Sequence, residues 1–270
     1  MSIITISRGS YSKGKEVAEK VASKLGYKCL SREIILDASD LYHVPEVKLI
    51  KAIHDSPTIL ERIGGNKKAF ISFYQSVLAA KAKEDNIVYH GLAGHLLLKR
   101  IPHVLKVRII ADLKDRVATE MKRENVGKQE ALNLIKKDDE ERRKWTQSLY
   151  GVDPWNSHLY DLVIHIHKFK IDDAVEIICD AVNLSQFKTT DESQKKMDDL
   201  ALASRIKAFF VEEHFDVAVL SEFGNVLIYV KGDDRLLHRI DEIVKTLPEK
   251  IEGINNIEIH QNVPPHKDAI

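Results

Sequence analysis

The chain has 270 residues, 44% hydrophobic and 30% charged, with Lys plus Arg and Asp plus Glu balanced at 41 each. That length suits one large domain or two smaller ones, and zero net charge argues against a generic nucleic-acid binder. No apolar run approaches the roughly 20 residues needed to span a bilayer, and "MSIITISRGS" lacks the basic region and long apolar stretch of a signal peptide, so membrane attachment is not expected.

The first element is "SIITIS", a β-branched run that reads as a buried strand. It runs into Gly9, four residues, Gly14 and Lys15, nearly the spacing of a phosphate-binding loop. Beyond the loop, Val17, Ala18, Val21, Ala22 and Leu25 recur at helical spacing, and Gly26 is a helix stop. A loop between a buried strand and a helix offers free backbone N–H groups and the positive end of the helix dipole to an anion. Ser10, Ser12 and Lys13 add donors, Gly14 allows close approach, and Lys15 can reach the β and γ phosphates of a nucleotide. The usual Ser or Thr after the lysine, a magnesium ligand, is Glu16 here. A plain strand–helix turn with surface lysines is the competing reading.

"YKCL" follows as a short second strand. Residues 33–84 read as mostly helical, interrupted near Pro45, Pro57 and Gly64-Gly65. "NIVYHG" (86–91) is a strand ending in a turn, "LAGHLLLKR" a short helix, and "HVLKVRIIA" (103–111) another buried strand. A long charged helical region runs from Asp112 to about Leu149. "DLVIHIH" (161–167) is a strand and "IDDAVEIICDAVNL" (171–184) a helix. Strands alternating with helices imply a parallel sheet covered on both faces. His165 and His167 alternate on a strand and so share a face; with no third ligand evident, no metal site is expected. Trp155 and Tyr160 are expected to pack in the loop before this strand. The two cysteines, Cys29 and Cys179, make no metal or disulfide pattern and read as core thiols of a cytoplasmic protein.

"SQFKTTDESQKKM" (185–197) is polar and lacks apolar periodicity, which reads as a linker. An amphipathic helix, two strand-like runs around Gly224-Asn225 (a hairpin signal), a second helix and a final strand follow. This α-β-β-α-β string predicts a small α+β domain over 198–263. That segment holds 13 acidic and 7 basic side chains, a balance of 7 − 13 = −6, so the remainder carries +6. A basic N-terminal part fits phosphate-bearing ligands.

The stretch "ITISRGSYSKGKEVAEKVASKLGYKCLSREII", with "HVLKVRIIADLKDRV", "IKKDDEERRKW" and "YDLVIHIHKFKIDDAVEII", resembles the cytidylate kinase-like family, a branch of P-loop nucleoside monophosphate kinases. The resemblance covers about residues 1–184 and implies a five-stranded parallel core, a lid and a monophosphate-binding arm. It makes Glu16 a family variant of the loop. It implies ATP with Mg²⁺ on Gly9, Ser10, Ser12, Lys13, Gly14, Lys15 and Glu16, and Arg116 and Arg123 on the helix leading into the lid. It gives catalytic roles to Lys15, Arg142 and Arg143, and acceptor roles to Arg8, Arg32 and Asp139. Phosphoryl transfer needs such cations around the transferring group, and a mobile lid supplies them while excluding water. A solvated helix face with (i, i+4) ion pairs is the competing reading of "KKDDEERRK".

The chain departs from the family twice. Ser31-Arg32-Glu33 stands where the family has Asp-Arg-Glu, and His90-Gly91 where many relatives have Gly-Arg. His90 can still donate to a phosphate, and His95 lies one helical turn on. Residues 198–263 resemble a BON-type domain through Gly224, Val226, Ile228, Gly232, Gly253 and Ile254. That resemblance implies a regulatory unit that contacts a protein partner or small ligand. Two further readings stand beside the kinase: a non-catalytic nucleotide sensor signalling through the C-terminal unit, and a membrane-surface adaptor, which no basic amphipathic helix supports.

Overall fold

The computed structural model describes residues 2–54 and 67–270. Five parallel strands form one sheet in the order β2-β3-β1-β4-β5: β1 (Ile3–Arg8), β2 (Lys28–Leu30), β3 (Ile87–Tyr89), β4 (Val104–Ala111) and β5 (Leu162–Ile166). Ile3, Ile4, Ile6, Ile87 and Val88 are at most 1% exposed, as expected of a strand core covered on both faces. One face carries α1 (Gly14–Leu25) and α8 (Ile171–Val182), joined by Lys20–Asp172 and Lys24–Glu176 ion pairs. The other carries α2 (Glu33–Leu41), α3 (Glu46–His54), α4 (Lys67–Ala82) and the single turn α5 (Gly94–Leu97). The break expected near Pro45 is present between α2 and α3; those at Pro57 and Gly64-Gly65 lie outside the described residues.

α1 forms because Val17, Ala18, Val21 and Ala22 make one buried stripe. It stops at Gly26, whose φ of 68° is left-handed, and the Tyr27 N–H closes back on the Ala22 carbonyl at 2.9 Å, a glycine C-cap. The charged region after β4 is two helices, α6 (Leu113–Glu124) and α7 (Lys128–Tyr150). Asn125, at φ 54°, turns the chain between them, and a left-handed residue cannot continue a helix.

The segment expected to be a linker is regular structure in large part. A 3₁₀ turn covers Ser185–Phe187, and α9 (Asp191–Glu212) begins inside the stretch. Thr190 Oγ1 accepts from the Ser193 N–H while Ser193 Oγ accepts from the Thr190 N–H, a reciprocal cap. Met197, polar in its neighbourhood and apolar in its packing, is fully buried in the core of the parallel sheet. A single apolar residue among charges leaves no periodicity to read.

The C-terminal part is a three-stranded sheet of β6 (Val217–Glu222), β7 (Asn225–Val230) and β8 (Asn256–Gln261), in that order, with α9 and α10 (Asp234–Lys250). β6 and β7 are antiparallel; β7 and β8 are parallel. The hairpin turn is Phe223-Gly224, one residue before the Gly224-Asn225 pair the sequence suggested. Both turn residues have positive φ, 53° and 75°, the primed geometry that matches strand twist. Asp199 on α9 accepts from Ser221 Oγ and from the Phe223 and Gly224 N–H groups, fixing the turn. Among the described residues no helix is long and apolar enough to cross a membrane.

Candidate functional site

A cavity of about 390 Å³ opens at the carboxyl ends of β1, β3 and β4, the usual place for a ligand in a parallel sheet. Its charged lining is Arg8, Arg32, Arg108, Arg142 and a single carboxylate, Asp139. Arg8 ends β1 and lies mostly buried beneath the loop, with a Cβ at Gly14 only 2.7 Å from its own. Gly14 is therefore needed so that Arg8 can pass under the helix start. Burial, and after it the Arg142 cation, lowers the Arg8 pKa. Two guanidiniums repelling each other in one cavity make a site that an anion would relieve. Among the described residues Arg142 has no carboxylate partner.

His90 and His95 complete the wall. His90 is 6% exposed, and its Nδ1 is buried with no hydrogen-bond partner. Burial, aided by Arg8, lowers its pKa, so the ring is neutral at neutral pH. His95 lies against Tyr160, its Nε2 at 3.3 Å from the phenol oxygen; burial, aided by Arg108, pushes its pKa down to about 3. Arg108 donates to the Pro154 carbonyl at 2.7 Å and to Tyr160 at 3.1 Å. Sequence reading passed over Arg108. A lone arginine in an apolar strand was the only signal; the structure buries it within β4, where it lines the cavity.

The glycine-containing loop sits beside this cavity. The Lys13 N-cap has left-handed φ and no side chain caps the first turn of α1, so the N–H groups there stay open to an anion. The hydroxyls divide. Ser12 Oγ is spent on the Gly9 and Ile109 carbonyls at 2.9 and 3.0 Å, so it ties the loop to β4 and is not a free phosphate donor. Ser10 Oγ is buried without a partner. Lys15 is exposed and pairs with Glu19 at 3.6 Å, outside the cavity lining; Glu16 faces Lys20 at 4.0 Å on the same outer surface.

α7 closes over the loop with its acids rather than its arginines. Asp139 accepts from the Ser10 N–H at 3.3 Å and from Arg116 at 2.6 Å, while Arg116 also donates to the Ser10 carbonyl. Asp138 accepts from Tyr11, and Arg123 donates to the same phenol and lies over its ring. Of the expected lid arginines, only Arg142 reaches the cavity. Arg143 pairs with Asp153 at 2.6 Å and stacks on Trp155. Arg32 lines the cavity rim but is held by Glu46 of α3.

Tyr89 leaves no room for a side chain at position 91. A Cβ on Gly91 would lie 2.0 Å from the Tyr89 hydroxyl, and one on Gly94 2.4 Å from its ring. Tyr89 is fully buried and bonded to Tyr74 and the Leu92 carbonyl, so it cannot yield.

The open N–H groups, the partnerless Ser10 and His90 atoms and the arginines fit a phosphate-bearing group. They do not supply a magnesium site: Glu16 turns to Lys20 and Asp139 is held by Arg116.

A five-stranded parallel sheet in this order, with an anion loop after its central strand and a helical lid, is the architecture of the P-loop kinases. Residues 3–168 match the sequence model of the cytidylate kinase-like family, and the chain belongs to that family. It is similar to the cytidylate kinase of Methanocaldococcus jannaschii, 32% identical over 105 residues, covering 38% of this chain and 58% of that one. The cytidylate kinase of Methanopyrus kandleri is 29% identical over 110 residues, covering 38% and 57%. The match thus spans less than two thirds of the length of these relatives. Among solved structures, an uncharacterized protein from Eubacterium ventriosum shares the fold, with a TM-score of 0.51 at 22% identity over 68% of this chain and 99% of that one.

Proposed function

We propose that the protein is an ATP-dependent phosphotransferase acting on a nucleoside monophosphate. The observation that carries this reading is the convergence of Arg8, Arg108 and Arg142 with neutral His90 in one cavity beside the open N–H groups of the loop. The donor phosphates would lie on the first turn of α1, with Lys15 swinging in from Glu19. The acceptor phosphate would sit among the arginines, which stabilise charge on the transferring group. The γ-phosphoryl passes to an acceptor phosphate oxygen, leaving two diphosphates. Magnesium would enter with the nucleotide, held by its phosphates and water, because Glu16 and Asp139 are engaged by Lys20 and Arg116.

A second reading has its own support. Asp139 occupies a loop N–H and Lys15 points away, as suits a nucleotide sensor that binds without transfer. The C-terminal unit, BON-like in its helix-strand-strand-helix-strand order, would then be the output, taking a protein partner or small ligand; in the kinase reading it regulates.

Purified protein with Mg-ATP and a panel of nucleoside monophosphates separates the two. Transfer to one acceptor, reduced about a thousandfold in Arg142→Ala and lost in Lys15→Ala, is the expected result. ATP binding without transfer favours the sensor, and no ATP binding sinks both.

A further inference from the structure

Away from the cavity, the edge of the parallel sheet gathers four potential metal ligands. β5 is the edge strand, and residues two apart on a strand share a face. His165 in β5 and His167 just beyond it stand side by side, ring centroids 5.9 Å apart and planes 24° from parallel. The neighbouring strand β4 ends at Ala111, and Asp112 is the N-cap of α6. An aspartate there ordinarily accepts from a first-turn N–H. Asp112 makes no such bond. Its two oxygens go instead to the histidines, Oδ1 at 3.0 Å from His165 Nε2 and Oδ2 at 2.9 Å from His167 Nδ1. Asp115, within the first turn of α6, brings a second carboxylate: ligand atoms of Asp112, Asp115 and His167 all lie within 4.8 Å of one another.

The sequence hid this arrangement because its third and fourth ligands lie some fifty residues before the histidines, and only the β4–β5 pairing joins them. We propose that Asp112, Asp115, His165 and His167 form a site for a borderline divalent transition metal of the Zn²⁺ type. The donor set selects the class. Imidazole suits Zn, Ni, Co and Cu, whereas Mg and Ca take oxygen donors. Donors on a tetrahedral ion with bonds of about 2 Å stand roughly 3.3 Å apart; Asp112, Asp115 and His167 already lie within 4.8 Å of one another, and His165, held 3.0 Å from Asp112 Oδ1, would swing in as the fourth ligand. The positive end of α6 disfavours a cation, and the two carboxylates on its first turn offset that. Each of Asp112, His165 and His167 is about half exposed, which leaves an entry path. A bound ion would clamp β5 to the start of α6, one turn before Arg116.

The test uses the full chain with Zn²⁺ alone, followed by equilibrium dialysis. One ion per chain is expected, with affinity falling by about tenfold or more in His167→Ala and in Asp112→Asn and unchanged in His238→Ala, an exposed control on α10. In EDTA the variants should melt with the wild type. An anomalous-scattering peak in Zn²⁺-soaked wild-type crystals gives an independent reading that needs no variant. A peak about 2 Å from these donors supports the site, and a peak only elsewhere overturns it. Wild-type affinity in both site variants, or displacement by excess Mg²⁺, overturns it as well.

Discussion

His95 shows how much one buried side chain can impose on the molecule. An unfolded imidazole titrates near 6.5, whereas burial in the folded chain holds this one down to about 3. Between those values the unfolded state binds a proton that the folded state refuses. Stability is therefore full above about pH 6.5 and falls with acidification, at up to about 1.4 kcal/mol per pH unit. Burial lowers the His90 and His103 pKa values in the same direction. Denaturant unfolding at pH 7 and pH 5 should show the loss, and His95→Gln should reduce it by about 2 kcal/mol; an unchanged drop would contradict neutral burial. At this scale the sequence was half legible. Gly14 and Arg142 could be picked from spacing and family pattern, and the structure packs Gly14 on Arg8 and puts Arg142 in the cavity lining, whereas Lys15, picked the same way, stands outside it beside Glu19. That Ser12 serves β4, that Arg143 serves Asp153 and that Arg108 faces the cavity depends on contacts across 10 to 97 residues of chain, which spacing does not encode.

Among the elements, α7 was legible as a helix from its charge pattern, yet its acids and bases exchange the roles expected of them. "KKDDEERRK" promised arginines closing on phosphates. In the structure Asp138 and Asp139 close the loop, because α6 presents Arg116 and Arg123 on the side where those acids arrive. The Asp139 carboxylate holds a loop N–H and a guanidinium that is only 13% exposed. Asp139→Ala leaves both groups short of a partner, at a cost of about 1–3 kcal/mol. Hydrogen exchange followed by mass spectrometry should then show faster exchange over residues 9–13, with α1 beyond Val17 unaffected. Equal exchange in the two proteins would mean that α7 does not restrain the loop. The strands were the most legible elements, since β-branched runs bounded by turn residues have one reading, and each expected strand of the sheet is present within a residue or two.

For the whole molecule, α9 decides the behaviour. Its first half gives Met197 to the core of the parallel sheet, and its second half gives Ile206 and Phe210 to the core of the small sheet. Arg205 of the same helix also donates to Tyr42 at the end of α2. A helix common to two cores couples their unfolding. Met197→Ala should cost about 2–5 kcal/mol and shift two probes together: tryptophan fluorescence from Trp145 in the first core, and hydrogen exchange of Val219 and Ile228 in the second core. Separate midpoints would show that the two parts unfold independently. The sequence could not disclose this coupling, because a helix with two apolar faces directed at different partners has no single stripe to detect.

Tyr89 and the two glycines over it have a consequence for descent. An arginine after β3 and a tyrosine within it compete for one volume, so neither can be exchanged alone without passing through a clashing or hollow intermediate. Positions 89, 91 and 94 therefore constrain one another, beside a cavity whose cations include Arg8 and Arg108. Relatives should fall into two groups at these positions, with few chains between them.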